Sequence, residues 1–143
     1  MAKVISVNTS LEKGVVKNPV KNIKLVIDHG VEGDAHAGNW HRQVSLLAIE
    51  SYRKMIYENK VLPIGSFAEN ITTEGIELFT LPVGTKLQIG ETLHEVTQIG
   101  KECHSGCAIQ QQVGKCVMPK EGIFTIVLKE GTVKKGDKIT IIS

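Results

Sequence analysis

Along most of the chain, apolar residues alternate with polar ones or gather in short β-branched runs, and glycines separate the runs. That pattern predicts strands joined by tight turns. Ala2–Thr9 reads as a first strand. Val15–Val20 reads as a broken one, because Pro19 removes a ladder donor. Ile23–Ile27 and Gln43–Ala48 follow. From Ile49 to Asn59 the period changes. Ile49, Tyr52 and Ile56 fall at i, i+3 and i+7 with charged residues between them, which is helical spacing. This helix stops before Pro63 and Gly65. Strands resume at Asn70–Thr73. Lys86–Ile89 and Thr92–Ile99 flank Gly90-Glu91, and glycine in the first central position suits a type II′ hairpin turn. Ile123–Leu128 and Lys138–Ile142 close the chain, with Gly131 and Gly136 bracketing their connection. One helix among some eight strands, without βαβ alternation, predicts a mainly β fold: a closed or nearly closed β-barrel with one or two short helices.

Composition narrows the picture. A chain of 143 residues is expected to form a single domain, 1–143, with a core of its own. Aromatic residues are only 4%, so Val, Ile and Leu must build that core. A net charge of +2 with no basic stripe argues against nucleic acid, and Lys134-Lys135 reads as a solvated turn. The first residues alternate and form no signal-peptide core, and no apolar run approaches the ~18 residues of a membrane span. A cytoplasmic protein with no membrane contact is expected, its three cysteines reduced. Their odd number and clustering do not suggest a disulfide framework.

Four constellations are candidates for chemistry. Gly30-Val31-Glu32-Gly33-Asp34-Ala35-His36, followed by His41-Arg42, is a glycine-rich loop with two acids, two histidines and an arginine. Glycine lets backbone N–H groups approach an anion, and Arg42 offers a planar fork for phosphate or carboxylate. The plain alternative is a solvated surface turn. Glu69-Asn70 leads directly into a strand, where Asn70 either orients a ligand or satisfies turn backbone. Cys103 follows a strand in Gly100-Lys101-Glu102-Cys103-His104, with Cys107 and Cys116 beyond. A cationic neighbourhood supplies thiolate, the nucleophile and soft metal ligand. The same residues allow a Cys3His zinc site, although the paired Cys-x2-Cys knuckles of common structural sites are missing. Lys120, in Met118-Pro119-Lys120-Glu121-Gly122, closes over a bound anion or sits in an ordinary turn.

Taken together, these segments resemble a known family. Gly30–His36, His41–Leu47, Phe67–Ile71, Leu81–Thr85, Gly100–His104, Met118–Phe124 and Gly131–Asp137 occur in the order of the MOSC domain, named for the C-terminal domain of molybdenum cofactor sulfurase. The resemblance runs over essentially the whole chain and is of the small stand-alone bacterial type. It implies a β-barrel with one characteristic cysteine, which by position is Cys103. It implies the molybdenum cofactor (molybdopterin), with that cysteine ligating molybdenum or carrying persulfide sulfur.

Under the resemblance, Lys101 and His104 hold the Cys103 thiolate. Arg42, with His36 or His41, binds the cofactor phosphate, and Lys120 assists. Asn70 and the Gly30–Gly33 loop orient the pterin side, and Asp34 is a further cofactor-binding residue. Molybdenum cofactor biosynthesis proteins or a cysteine desulfurase are the implied partners. No pyridoxal phosphate is expected in this domain, because the desulfurase domain of the full sulfurase is not in this sequence. A non-catalytic cofactor storage and handover module, or a small Cys/His zinc-binding protein, remain the alternatives.

Overall fold

The structure, a computed structural model, describes residues 2–10, 17–35, 37–50, 69–100 and 122–142. Among these residues the strands are β1 (Lys3–Thr9), β2 (Asn18–Val20), β3 (Asn22–Val26), β4 (Gly30–Val31), β5 (Val44–Ala48), β6 (Ile71–Glu74), β7 (Lys86–Ile89), β8 (Thr92–Ile99), β9 (Ile123–Lys129), β10 (Gly131–Lys134) and β11 (Ile139–Ile141). A single 3-10 turn at Leu78–Thr80 lies between β6 and β7. The predicted helix begins as expected, since Ile49 and Glu50 are helical; the rest of it lies outside the described residues.

Alternation produces most of this. In β3, Ile23 and Leu25 are buried while Asn22 and Lys24 face out, and in β7 Leu87 and Ile89 are buried between exposed neighbours. β7 and β8 pair with Ile89 opposite Thr92, so Gly90-Glu91 is the two-residue loop the sequence predicted. Gly90 has φ +58°, the left-handed conformation such a turn demands of its first central residue. Two strands were not foreseen. β4 forms inside the glycine-rich loop and β10 inside the Gly131–Gly136 connection. Both arise because Val31 and Val133 are fully buried and pack, with β3, against the main core.

Eight strands join one sheet in the order β11-β7-β8-β9-β5-β6-β1-β2, and β10-β3-β4 form a second. The core lies on one face of the large sheet, where Val4, Val7, Leu46, Ile71, Val96 and Ile123 meet Leu25, Val31 and Val133 of the small one. β5 pairs antiparallel with β9 but parallel with β6. A parallel neighbour requires a long crossover, and residues 49–70 supply it.

The expected barrel closure is not found. The mainly β character stands, but among the described residues neither sheet closes on itself. The large sheet comes near to it where Lys3 bridges Lys138, with backbone hydrogen bonds from Val4 N to Asp137 O and from Ile139 N to Ala2 O. The ladder ends there for a physical reason. From Val7 to Thr9, β1 pairs with β2 instead, so its edge is divided between two partners. β11, three residues long, has no further strand to pair with among the described residues.

One buried group tests the packing argument. Thr73 is fully buried on β6, and its Oγ1 has no hydrogen-bond partner among the described residues. An unsatisfied buried hydroxyl costs free energy, and valine has the same shape without it. Thr73→Val should therefore be neutral or raise stability by up to ~1 kcal/mol in urea denaturation. A clear loss of stability would mean that the hydroxyl is satisfied in solution.

Candidate functional site

The other face of the large sheet carries a row of polar side chains beside the buried Leu47 and Phe124. Two β-bulges shape that row. On β1 the register with β6 shifts between Val4 and Ser6, which keeps Val4 and Val7 on the core face and turns Ser6 and Asn8 to the far one. On β8 the register with β9 shifts between Val96 and Gln98. Val96 packs in the core, Thr97 is the extra residue, and Gln98 sits opposite Phe124 on the far face.

A row of residues then crosses five strands: Asn8, Asn70 at the entry to β6, Ser45, Phe124 and Gln98. Asn8 N donates to Asn70 O at 2.7 Å and Asn70 N to Ser45 O at 2.9 Å, while Ser45 pairs with Phe124 and Phe124 with Gln98. Side chains knit the first half of this row. The Oδ1 of Asn70 accepts from Ser45 N at 3.0 Å and Ser45 Oγ at 3.1 Å, and its Nδ2 donates to Asn8 O at 3.3 Å. Thr72 Oγ1 donates to the Glu69 carboxylate at 2.7 Å, and Asn8 Nδ2 donates to Thr72 Oγ1 and Glu69 O at 3.1 Å. Asn70 therefore acts as an internal brace with both polar ends engaged.

The second half of the row carries the positive charge. The Arg42 guanidinium lies 5.2 Å from the Trp40 ring centroid and 5.7 Å from that of Phe124. Both rings offer their π-electrons to the cation. Arg42 makes no ion pair among the described residues, and its Nε is buried without a hydrogen-bond partner. A buried donor in that condition is costly, and an oxyanion would satisfy it. Beside it, His41 Nε2 meets Gln98 Oε1 at 2.8 Å, and Thr97 Oγ1 donates to the backbone carbonyl of His41, with that of Phe124 3.1 Å away.

The same rim anchors the cysteine segment. Gly100 N donates to Gly122 O at 2.6 Å, closing the ends of β8 and β9 around residues 101–121. Those ends lie two residues beyond Gln98 and Phe124. Cys103, Lys101, His104 and Lys120, and likewise His36, lie outside the described residues.

The remaining predicted residues sit below the rim. Gly30 belongs to β4 rather than to an open loop. It has φ +107°, and a Cβ there would lie 2.5 Å from the Gln43 carbonyl oxygen, so its want of a side chain serves close packing. Gly33 is exposed in the following turn. Asp34 is buried, and its Oδ1 accepts from Lys17 Nζ at 2.8 Å and from Ser10 N at 3.0 Å. Sequence reasoning missed Trp40, Thr97, Gln98 and Lys17. The only tryptophan of an aromatic-poor chain, directly before His41-Arg42, was the available signal for the first. Nothing in the sequence marks a bulge at Thr97.

Comparison with known proteins agrees with this architecture. The model of the MOSC domain matches residues 33–140, most of the chain. The chain belongs to the MOSC domain family. This family is generally linked to binding and sulfuration of the molybdenum cofactor. The YUAD protein from Bacillus subtilis superposes with a TM-score of 0.78 at 19% identity, covering 97% of this MOSC chain and 94% of that one. YiiM from Geobacillus stearothermophilus gives 0.75 at 20% identity, covering 100% and 76%, and YiiM from Escherichia coli 0.73 at 21%, covering 100% and 70%. At these identities the likeness is one of fold. No curated protein matches the chain by sequence. No helix among the described residues of this MOSC domain is long and apolar enough to cross a membrane.

Proposed function

We propose that this MOSC domain binds the molybdenum cofactor and handles sulfur for it in the cytoplasm, with Cys103 as the metal ligand or persulfide carrier. The observation that carries the reading is the Arg42 guanidinium. It lies 5.2 and 5.7 Å from the centroids of two rings, and among the described residues it lacks a carboxylate partner and keeps one buried N–H without an acceptor, at the rim where the cysteine segment begins and ends. The cofactor's phosphate is an anion of the right chemistry for that fork. When bound, the cofactor supplies a soft, dithiolene-held metal centre suited to thiolate.

The chain's own residues do the rest. Arg42 grips the anion, and the Asn8–Asn70–Ser45 brace holds the strands beneath it in register. Three peptide units separate Cys103 from Gly100, which limits its Cα to within ~11 Å of that glycine by covalent reach. Lys101 and His104, its near neighbours in sequence, favour the thiolate. In sulfur transfer, the Cys103 thiolate attacks the outer sulfur of a donor persulfide, forms a new persulfide on Cys103 and releases the donor thiolate.

Two measurements test this. Incubation with a cysteine desulfurase and L-cysteine should add the mass of one sulfur atom to the intact protein, and Cys103→Ser should remove that gain while the fold is kept. Arg42→Ala should weaken retention of molybdopterin, read by fluorescence of the oxidised pterin, by about 10- to 100-fold, since it removes a charge-assisted hydrogen bond. Equal sulfur gain in Cys103→Ser, together with undiminished pterin retention in Arg42→Ala, would overturn the reading.

A further inference from the structure

His41 and Arg42 border the same ring. The His41 imidazole meets the Trp40 indole edge-on at 5.9 Å, and the Arg42 guanidinium lies 5.2 Å from that indole. Across the sheet, Gln98 holds the imidazole and sits opposite Phe124, whose ring is 5.7 Å from the guanidinium. Thr97 Oγ1 donates to the His41 carbonyl and fixes the backbone beneath the imidazole. His41 is exposed and uses one ring nitrogen: Nε2 is 2.8 Å from Gln98 Oε1, and Nδ1 has no partner among the described residues.

A backbone carbonyl decides which nitrogen carries the proton. Gly100 O can only accept, so the Gln98 amide turns its Nε2 toward it, at 2.7 Å, and its Oε1 toward His41. An amide oxygen also only accepts, so His41 Nε2–H must donate to it. Neutral His41 is therefore held in the Nε2–H tautomer with a bare Nδ1. A further proton can enter at Nδ1 alone, and the bond to Gln98 is kept in both charge states. The β-bulge at Thr97 is what places Gln98 on this face.

We infer that His41 Nδ1, set by Gln98 as a positioning residue, shares one proton with the anion on Arg42, and that this selects phosphate groups over anions that bring no proton. The inference rests on the anion site of the proposed function and on no part of the cysteine segment. A bare imidazole nitrogen repels an anionic oxygen unless a proton lies between them. A phosphomonoester, whose second pKa is about 6, holds such a proton readily. Either its P–O–H donates to Nδ1, or the proton sits on Nδ1 and the imidazolium donates to the dianion; the proton count is the same. Sulfate has the same tetrahedral shape but no proton to bring, so His41 must first take one from solvent. Imidazole is the side chain that changes charge between about pH 5 and 8. The residues touching it, Trp40, Thr97 and Gln98, do not titrate there, and Arg42 beside it stays charged.

The test uses the whole chain, with inorganic sulfate and inorganic phosphate as probes and calorimetry as the readout. Sulfate stays a dianion throughout, so any pH dependence of its binding belongs to the protein. In the wild type its affinity should fall about 10- to 100-fold from pH ~5.5 to pH ~8, the range that one charge-assisted hydrogen bond supplies. At pH ~8 phosphate is also a dianion but keeps one proton, and should bind about tenfold or more tightly than sulfate. His41→Phe keeps a flat ring beside Trp40 without the nitrogens. It should bind sulfate equally at both pH values and lose the preference for phosphate. Gln98→Leu should keep its thermal stability, because Gln98 is half-buried and outside the hydrophobic core. It should mix the two His41 tautomers in nitrogen NMR and cut the phosphate preference by about two- to tenfold, the worth of one net hydrogen bond. Wild-type sulfate binding that is flat with pH, a pH dependence that persists in His41→Phe, or an unmoved tautomer and preference in Gln98→Leu would each overturn the inference. Failure of both anions to bind, or binding undiminished in Arg42→Ala, would instead sink the anion site on which the inference stands.

Discussion

Lys17→Met is expected to cost about 3–5 kcal/mol of folding stability, a large part of the 5–15 kcal/mol typical of a domain. The Lys17 ammonium and Asp34 carboxylate are 2.8 Å apart, and neither side chain is exposed to solvent. Lys17 Nζ also donates to Ser10 Oγ at 3.1 Å. Removing the lysine takes a counter-charge at 2.8 Å away from a buried carboxylate, and the desolvation already incurred is offset less. Asp34→Asn should cost a comparable amount by taking the carboxylate charge away from the buried ammonium. The double variant Lys17→Met/Asp34→Asn should be more stable than the sum of the two losses implies, because neither charge is then buried alone. Urea denaturation of all four proteins measures this. Simple additivity would show that the pair is not the unit of stability. The effect has a functional side, since Asp34 N bonds to Val31 O and Ala35 N to Ser10 O just before the Trp40–Arg42 turn. Weakening the pair loosens the support of the turn that carries Arg42.

Acid should destabilise the protein through His94, earlier and more steeply than in His94→Gln. His94 is fully buried, and burial lowers its pKa from 6.5 to about 3. The hydrogen bonds fix its tautomer. Thr92 Oγ1 gives its only proton to Ile89 O at 2.7 Å, so at 2.9 Å it must accept from His94 Nε2–H. Nδ1 is then bare and accepts from Thr125 Oγ1 at 3.1 Å. A second ring proton would point at a hydroxyl already donating.

The sign follows from linkage. Between the unfolded pKa of 6.5 and the folded value of about 3, the unfolded chain binds a proton that the native chain refuses. The stabilising contribution is thus complete above pH 6.5 and declines by up to ~1.4 kcal/mol per pH unit below it. The total reaches the order of 5 kcal/mol by pH 3. From pH 6.5 to 5 most carboxylates stay ionised, so this window isolates the histidine, with ~2 kcal/mol expected there. His94→Gln should be less stable than wild type at pH 7 and should lose less on acidification, so the two stability curves converge. Parallel curves would place the acid sensitivity elsewhere.

Much of the strand plan was legible in the sequence because half-buried strands write their environment into period-two alternation. The β7–β8 hairpin, with Gly90 at its turn, was readable to the residue. β4 and β10 were not. Each is short, each begins with a glycine that reads as loop, and each becomes a strand only because β3 offers it a ladder and the core a place for one valine. The barrel expectation reached the right class and the wrong closure, since the division of the β1 edge between β2 and the Lys3–Lys138 bridge depends on a chain reversal that no local pattern records.

The candidate site divides along the same line. Residue type alone marked Arg42, His41, Asn70 and the cysteine segment, because guanidinium, imidazole, amide and thiol carry their chemistry wherever they are. Tertiary structure decided what each would face. It turned Asp34 inward onto Lys17 and set Asn70 to bracing strands. Arg42 it left beside two rings with an N–H to spare among the described residues. It also brought in Thr97 and Gln98 through a one-residue bulge. Alternation is a local property and survives in the sequence; register shifts and edge sharing are set by strands far apart in the chain, and exist only once those strands have met.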